Sequence, residues 1–234
     1  MKDNKSIFVN TGKLKESSEY VCWIDIMGTR STMAISLERA TNHIIRLHAS
    51  IIPALDGNLK FYPMLDGAYI TASSKASLET FLRAVFSKLA SEFVQQKDVF
   101  NRFIPKASVS FGPVVHGDAI TSDVNQAVSD QEKIKNSLLF GIPVISANEG
   151  EKKAPPFGIF IDNSARMFGP KPGDKFPFVW YNWTKNNSEL STNISNSIDE
   201  YFEWCKKNQN TITYSLDRIQ AHSAMAKEYF QVNK

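Results

Sequence analysis

The feature that most constrains this chain is the order in which two hydrophobic periodicities alternate between residues 20 and 116. Tyr20-Val-Cys-Trp-Ile-Asp-Ile26 is rich in β-branched and aromatic residues and reads as a buried strand. Gly28-Thr-Arg-Ser-Thr32 turns the chain. Apolar residues at Met33, Leu37, Ala40, Ile44, Leu47 and Ile51 then predict one continuous helix face, ended by Pro53. Leu59–Met64 and Ala68–Ala72 read as short strands around Leu65-Asp66-Gly67, a hairpin whose glycine supplies the positive φ. Ser73 and Ser74 stand where they can cap a second amphipathic helix, with its stripe at Leu78, Phe81, Leu82, Val85, Leu89 and Phe93. Phe103–Phe111 predicts a fourth strand, Gly112-Pro113 a break, and Val114–Gly117 a returning arm. The order β-α-β-β-α-β predicts an α+β fold with a ferredoxin-like core.

Beyond this core, Thr121–Asn136 is polar and weakly periodic, which predicts a loop with room for a helical turn. Pro143 opens a short helix, Phe157–Ile161 is a compact strand, Gly169–Gly173 a loop and Phe176–Trp183 an aromatic strand. Helices around Ile194–Lys207 and Leu216–Phe230 follow. A length of 234 residues suits one full-core domain, 20–234, behind a polar segment, 1–19. A net charge of +3 argues against a nucleic-acid partner held by electrostatics. No uncharged apolar stretch is long enough to span a bilayer, and the polar start lacks the core of a signal peptide, so no membrane partner and a cytosolic location are expected. Cys22 and Cys205 make no disulfide framework, and no zinc motif is present.

Asp25 ends the first strand and Asp66 occupies the tip of the neighbouring hairpin. In a β-α-β-β unit these turns lie side by side, so two carboxylates distant in sequence can share one site. Mg2+ and Mn2+ take oxygen ligands and bind through one or two carboxylates plus substrate phosphates. Asp25, Asp66 and the Ile26 carbonyl form such a set, and Gly28, Thr29 and Arg30 offer backbone N–H groups to a triphosphate. The plainer reading makes Asp25 a helix cap and Asp66 an ordinary turn residue. Arg30, Arg102 and Lys106 read as solvated or ion-paired cations, Asn163-Ser-Ala-Arg166 as a helix start, and His116 as neither base nor ligand.

Trp23-Ile-Asp-Ile-Met-Gly-Thr29 resembles the first metal motif of the class III nucleotide cyclases, and Phe61-Tyr-Pro-Met-Leu-Asp-Gly67 resembles the second. Lys106–Gly117 and Gly141-Ile-Pro-Val-Ile-Ser-Ala147 are similar to the segments that follow, so the likeness covers roughly residues 20–161. It implies the cyclase catalytic-domain fold with C-terminal strand and helix additions, two divalent ions (Mn2+ or Mg2+) on Asp25 and Asp66, and a homodimer with sites at its interface. The departures are specific. Tyr62 stands where purine cyclases carry a base-reading lysine, Leu138 where they carry a second polar reader, and Ile145 and Glu149 where they carry an asparagine and an arginine. A site that loses its polar readers loses recognition of the matching base. In this the chain resembles the pyrimidine cyclases of Pycsar anti-phage defence, which implies Tyr62 and Leu138 in a base pocket and UTP or CTP as substrate, with a slight lean to UTP. The cyclic product would act on a separate effector. The alternatives are a purine cyclase, or a non-catalytic nucleotide-sensing or RNA-binding module on the same strand order.

Overall fold

The computed structural model describes residues 11–169, 179–185 and 187–231. Its hub is β1 (Ser17–Ile26), which alternates between two buried faces. Tyr20, Cys22, Ile24 and Ile26 point into the main core, while Val21 and Trp23 join a smaller cluster with Val114 and Ala147. β2 (Leu59–Met64), β3 (Gly67–Ala72) and β4 (Pro105–His116) complete the central sheet in the order β2-β3-β1-β4, every neighbouring pair antiparallel. This is the ferredoxin-like arrangement expected from the sequence. β5 (Leu139–Phe140) and β6 (Ile159–Ile161) both pair with β4, antiparallel near His116 and parallel near Ser108.

The helices between these strands are α1 (Thr29–Ile35), α2 (Leu37–Ile51) and α3 (Lys75–Gln95). The first two were expected to be one helix. Ser36 separates them: its backbone is extended, and its hydroxyl accepts the Arg39 N–H as the N-cap of α2. The apolar stripe divides accordingly, with Ala40, Leu47 and Ile51 buried and Met33 and Leu37 left 40% and 67% exposed.

Three further expectations are corrected. β4 does not break at Gly112-Pro113, and no arm returns there; the strand runs on in register because Gly112 takes φ +155°, where a Cβ would lie 3.0 Å from Pro143 Cγ. The stretch read as a loop contains α4 (Ser122–Ser129) and α5 (Glu132–Lys135), formed by local backbone bonds within the segment and tied outward by buried Val124 and the Lys13–Asp123 ion pair rather than by an apolar stripe. Of the aromatic strand Phe176–Trp183, residues 176–178 lie outside the described residues, and the remainder contributes one bridge, Trp180 to Phe160. α6 (Ile142–Glu151), with Pro143 in its first turn, packs on β4 and β1 on the Trp23 face. α7 (Ser188–Lys207), α8 (Gln209–Ile212) and α9 (Leu216–Gln231) complete the chain, with α7 packed on α3 and α9 on α7. Among the described residues no helix is long and apolar enough to cross a membrane.

Candidate active site

Strand alternation puts Asp25 on the same sheet face as Trp23, and register places it between Gly67 of β3 and Lys106 of β4. Asp66 precedes Gly67 at the β2–β3 hairpin tip, so the two aspartates sit at neighbouring chain positions across one strand pair. The hairpin works differently from the sequence expectation. Positive φ falls on Leu65, at +34°, rather than on Gly67. Gly67 is needed for space: a Cβ there would lie 2.4 Å from the Ile24 carbonyl oxygen and 2.6 Å from the Trp23 ring. The absence of a side chain at Gly67 is what lets the hairpin lie against β1 beside Asp25.

Asp25 Oδ1 is buried and has no hydrogen-bond partner among the described residues. Burial, the charge of Asp66 and the charge of Glu151 push this carboxyl up to about 7, against the backbone N–H of Ile26 and the charge of Lys106. An unsatisfied buried carboxylate oxygen facing a second carboxylate is costly in the bare protein and is relieved by a cation. Among the described residues no group of three or more His, Cys, Asp or Glu side chains could hold a metal. The available donors are therefore two carboxylates and backbone oxygen, which fits Mg2+ or Mn2+, ions that complete their shells with water and phosphate oxygens. The Ile26 carbonyl already accepts the Thr29 hydroxyl at 3.1 Å, leaving one lone pair for such an ion.

Lys106, read from sequence as a solvated or ion-paired cation, is buried and paired with Glu151 of α6 at 3.0 Å. Gly28, the N-cap of α1, has φ +77° and no side-chain capping bond. Thr29 is buried and Arg30 exposed. Ile145 and Glu149 are both exposed on α6, and a neighbouring residue of that helix, Asn148, hydrogen-bonds Tyr69 of β3.

Tyr62 lies on β2, opposite Tyr69, and is buried. Its hydroxyl is 2.6 Å from His116 Nδ1, and His116 Nε2 is 2.9 Å from Glu19 Oε1. Burial works to raise the Glu19 carboxyl, but the hydrogen bonds from Ser17 and His116 lead the effects that outweigh it and hold the group below its ordinary value. An ionised Glu19 only accepts, so His116 Nε2–H donates to it, and in the neutral ring Nδ1 accepts the Tyr62 hydroxyl. Burial first, then the charges of Asp118 and Glu19, raises the Tyr62 phenol and keeps it protonated. A shallow hollow of about 260 Å³ lies beside Tyr62, flanked by Lys60, Asp118 and Asn136, with Lys60 and Asp118 paired at 2.7 Å. Leu138, half-buried, adjoins this corner through its carbonyl, which accepts the Gly117 N–H at 2.8 Å.

Glu19, Glu151 and the part played by His116 were not read from sequence. Glu19 shares the parity of Asp25 along β1, which was the available signal, but its position inside a polar segment hid it. Glu151 meets Lys106 only through the placement of α6, which no local pattern encodes.

No protein-family model matches the chain, and no curated protein matches it. Solved structures do. One structure of a bacterial light-regulated adenylyl cyclase superposes with a TM-score of 0.53 at 12% identity, covering 66% of this chain and 45% of its own. A second such structure gives 0.53 at 12% identity, covering 68% and 47%. The fold is that of the class III nucleotide cyclases. The chain spans less than half the length of those two proteins. A guanylyl cyclase domain from the fungus Blastocladiella emersonii, 15% identical and covered over 85% of its length, gives 0.49, too loose a likeness to build on.

Proposed function

We propose that the protein is a nucleotide cyclase that converts a pyrimidine ribonucleoside triphosphate, UTP or CTP, into the 3′,5′-cyclic nucleotide and pyrophosphate. The observation that carries this reading is the buried, unbonded Asp25 carboxylate oxygen beside the hairpin Asp66, in a chain with the cyclase fold. Asp25, Asp66 and the Ile26 carbonyl hold the divalent ions. When bound, two Mn2+ or Mg2+ ions supply the charge that acidifies the ribose 3′-hydroxyl and stabilises the departing pyrophosphate. The protein's own part is positioning. Gly28, Thr29 and Arg30 receive the triphosphate through backbone N–H groups and one exposed guanidinium. The Lys106–Glu151 pair, buried next to Asp25, balances local charge and holds α6 to the strand that carries Lys106. The 3′-oxygen forms a bond to the α-phosphorus, the bond from that phosphorus to the β-phosphate bridge breaks, and the hydroxyl proton leaves to solvent. No protein nucleophile takes part.

Tyr62 and Leu138 form the base pocket. Tyr62 is fixed through His116 to Glu19, so a phenol ring occupies the position where a flexible lysine would read a purine. This rigid wall favours the smaller ring. The catalytic unit is a homodimer with sites at its interface, and the cyclic product is a messenger of anti-phage defence acting on a separate effector. A purine cyclase is the second reading, since the structures of the same fold are adenylyl cyclases.

Incubation with each of the four ribonucleoside triphosphates and Mn2+, with products identified by mass, separates these readings. Cyclic UMP or cyclic CMP as the main product, lost in Asp66→Ala, supports the proposal. Cyclic AMP or GMP as the main product establishes the purine reading, and full turnover in Asp66→Ala removes the metal assignment.

A further inference from the structure

A second concave site lies away from the sheet face that carries Asp25, where α1 and α2 meet the C-terminal helices. It is a partly enclosed cavity of about 110 Å³ backed by Met27 and Gly28. Its charge is one-sided: Arg39, Arg102 and Arg218 line it, and among the described residues no Asp or Glu does. Arg102 is already engaged, donating from Nε to the Gln96 carbonyl at 2.8 Å and lying 3.8 Å from Glu200. Arg39 and Arg218 are held only against aromatic faces among the described residues, Arg39 4.6 Å from the Phe100 ring centre and Arg218 5.9 Å from that of Tyr214. Guanidinium groups stacked in this way keep their in-plane N–H donors for an oxyanion.

His43, 4% exposed, lines the same cavity. One ring nitrogen hydrogen-bonds the Phe100 backbone, and Nε2 is buried without a partner. With the other nitrogen donating to a carbonyl, Nε2 is a bare acceptor with under 1 Å² of accessible surface, which a ligand O–H or N–H meets as the ring turns toward the cavity. Phe100, Trp204 and Tyr214 supply apolar walls. Cations without acids, aromatic walls and one stranded acceptor together define a ligand class.

We propose that this cavity binds a small organic acid: an oxyanion for Arg39 and Arg218, a ring-sized apolar body against Phe100, Trp204 and Tyr214, and a hydroxyl or amine for His43 Nε2. The cavity shares Gly28 with the turn proposed to receive the triphosphate but holds neither aspartate. Its occupancy is measured without turnover and read on Arg39 and Arg218, so its failure is distinguishable from failure of the cyclase reading.

The test uses calorimetric titration of the full-length protein with 4-hydroxybenzoate, benzoate and benzyl alcohol. The same titrations are run on Arg39→Gln, Arg218→Gln and the distant control Arg166→Gln, each checked for folding by circular dichroism. The expected result is saturable 1:1 binding of 4-hydroxybenzoate and weaker binding of benzoate, which lacks the donor for His43. Benzyl alcohol should not bind. At least about a tenfold loss of affinity in Arg218→Gln, whose exposed side chain makes its substitution safe for folding, should come with no change in Arg166→Gln. The proposal is overturned if neither acid binds saturably, if benzyl alcohol binds as tightly as the acids, or if Arg39→Gln and Arg218→Gln both bind like wild type.

Discussion

Replacing Asp25 by asparagine should stabilise the metal-free protein, and the size of the effect follows from the site. The Asp25 carboxyl is raised from 3.8 to about 7 by burial, by Asp66 and by Glu151. Its folded value lies above its unfolded one, so the folded state binds the proton more tightly. The stability this confers is complete below about pH 4, falls as pH rises through the interval to about 7, and is gone above it. A difference of roughly 3 pH units at about 1.36 kcal/mol each gives about 4 kcal/mol as a ceiling, and residual solvent access brings the expectation to about 2–4 kcal/mol. Asparagine keeps the shape and removes the charge. Urea unfolding of chelator-treated protein should therefore find Asp25→Asn more stable than wild type by about 2–4 kcal/mol near pH 8 and by about 1 kcal/mol near pH 4.5. Mn2+ should reverse the order near pH 8 by stabilising wild type alone. A variant less stable than wild type near pH 8 without metal, or a gap equal at both pH values, would refute the reasoning.

Gly67→Ala should cost about 1–3 kcal/mol in denaturant unfolding, because its Cβ meets the Ile24 carbonyl and the Trp23 ring at 2.4 and 2.6 Å. Glu151→Gln removes the 3.0 Å partner of buried Lys106 while relieving the repulsion that Glu151 exerts on Asp25, and should destabilise by about 1–3 kcal/mol in urea unfolding. Tyr62→Phe strands His116 Nδ1 and should cost about 1–3 kcal/mol, measured by thermal unfolding, while narrowing the ratio of turnover on pyrimidine to purine triphosphates.

The sheet order was legible because each helix stripe and strand run in the first half has its own period, and burying both stripes against one sheet admits few arrangements. Asp25 and Asp66 were legible as a pair for the same reason: register follows once β1 and the hairpin are adjacent. What stayed hidden depended on single residues or on long-range packing. The break at Ser36 is one capping bond inside an otherwise continuous stripe. Gly112 looks like a turn signal, yet serves to let Pro143 of α6 approach an unbroken strand. The Glu19–His116–Tyr62 chain joins three strands, β1, β4 and β2, which no local pattern links.

The most direct measurement is electron paramagnetic resonance of Mn2+ bound with an unreactive UTP analogue. Two spin-coupled ions per site, roughly 3.5–4 Å apart, are expected in wild type, with the coupling absent from Asp25→Asn and Asp66→Ala. Uncoupled Mn2+ in wild type, or the same coupled pair in both variants, would contradict the claim that these two carboxylates gather the catalytic metals.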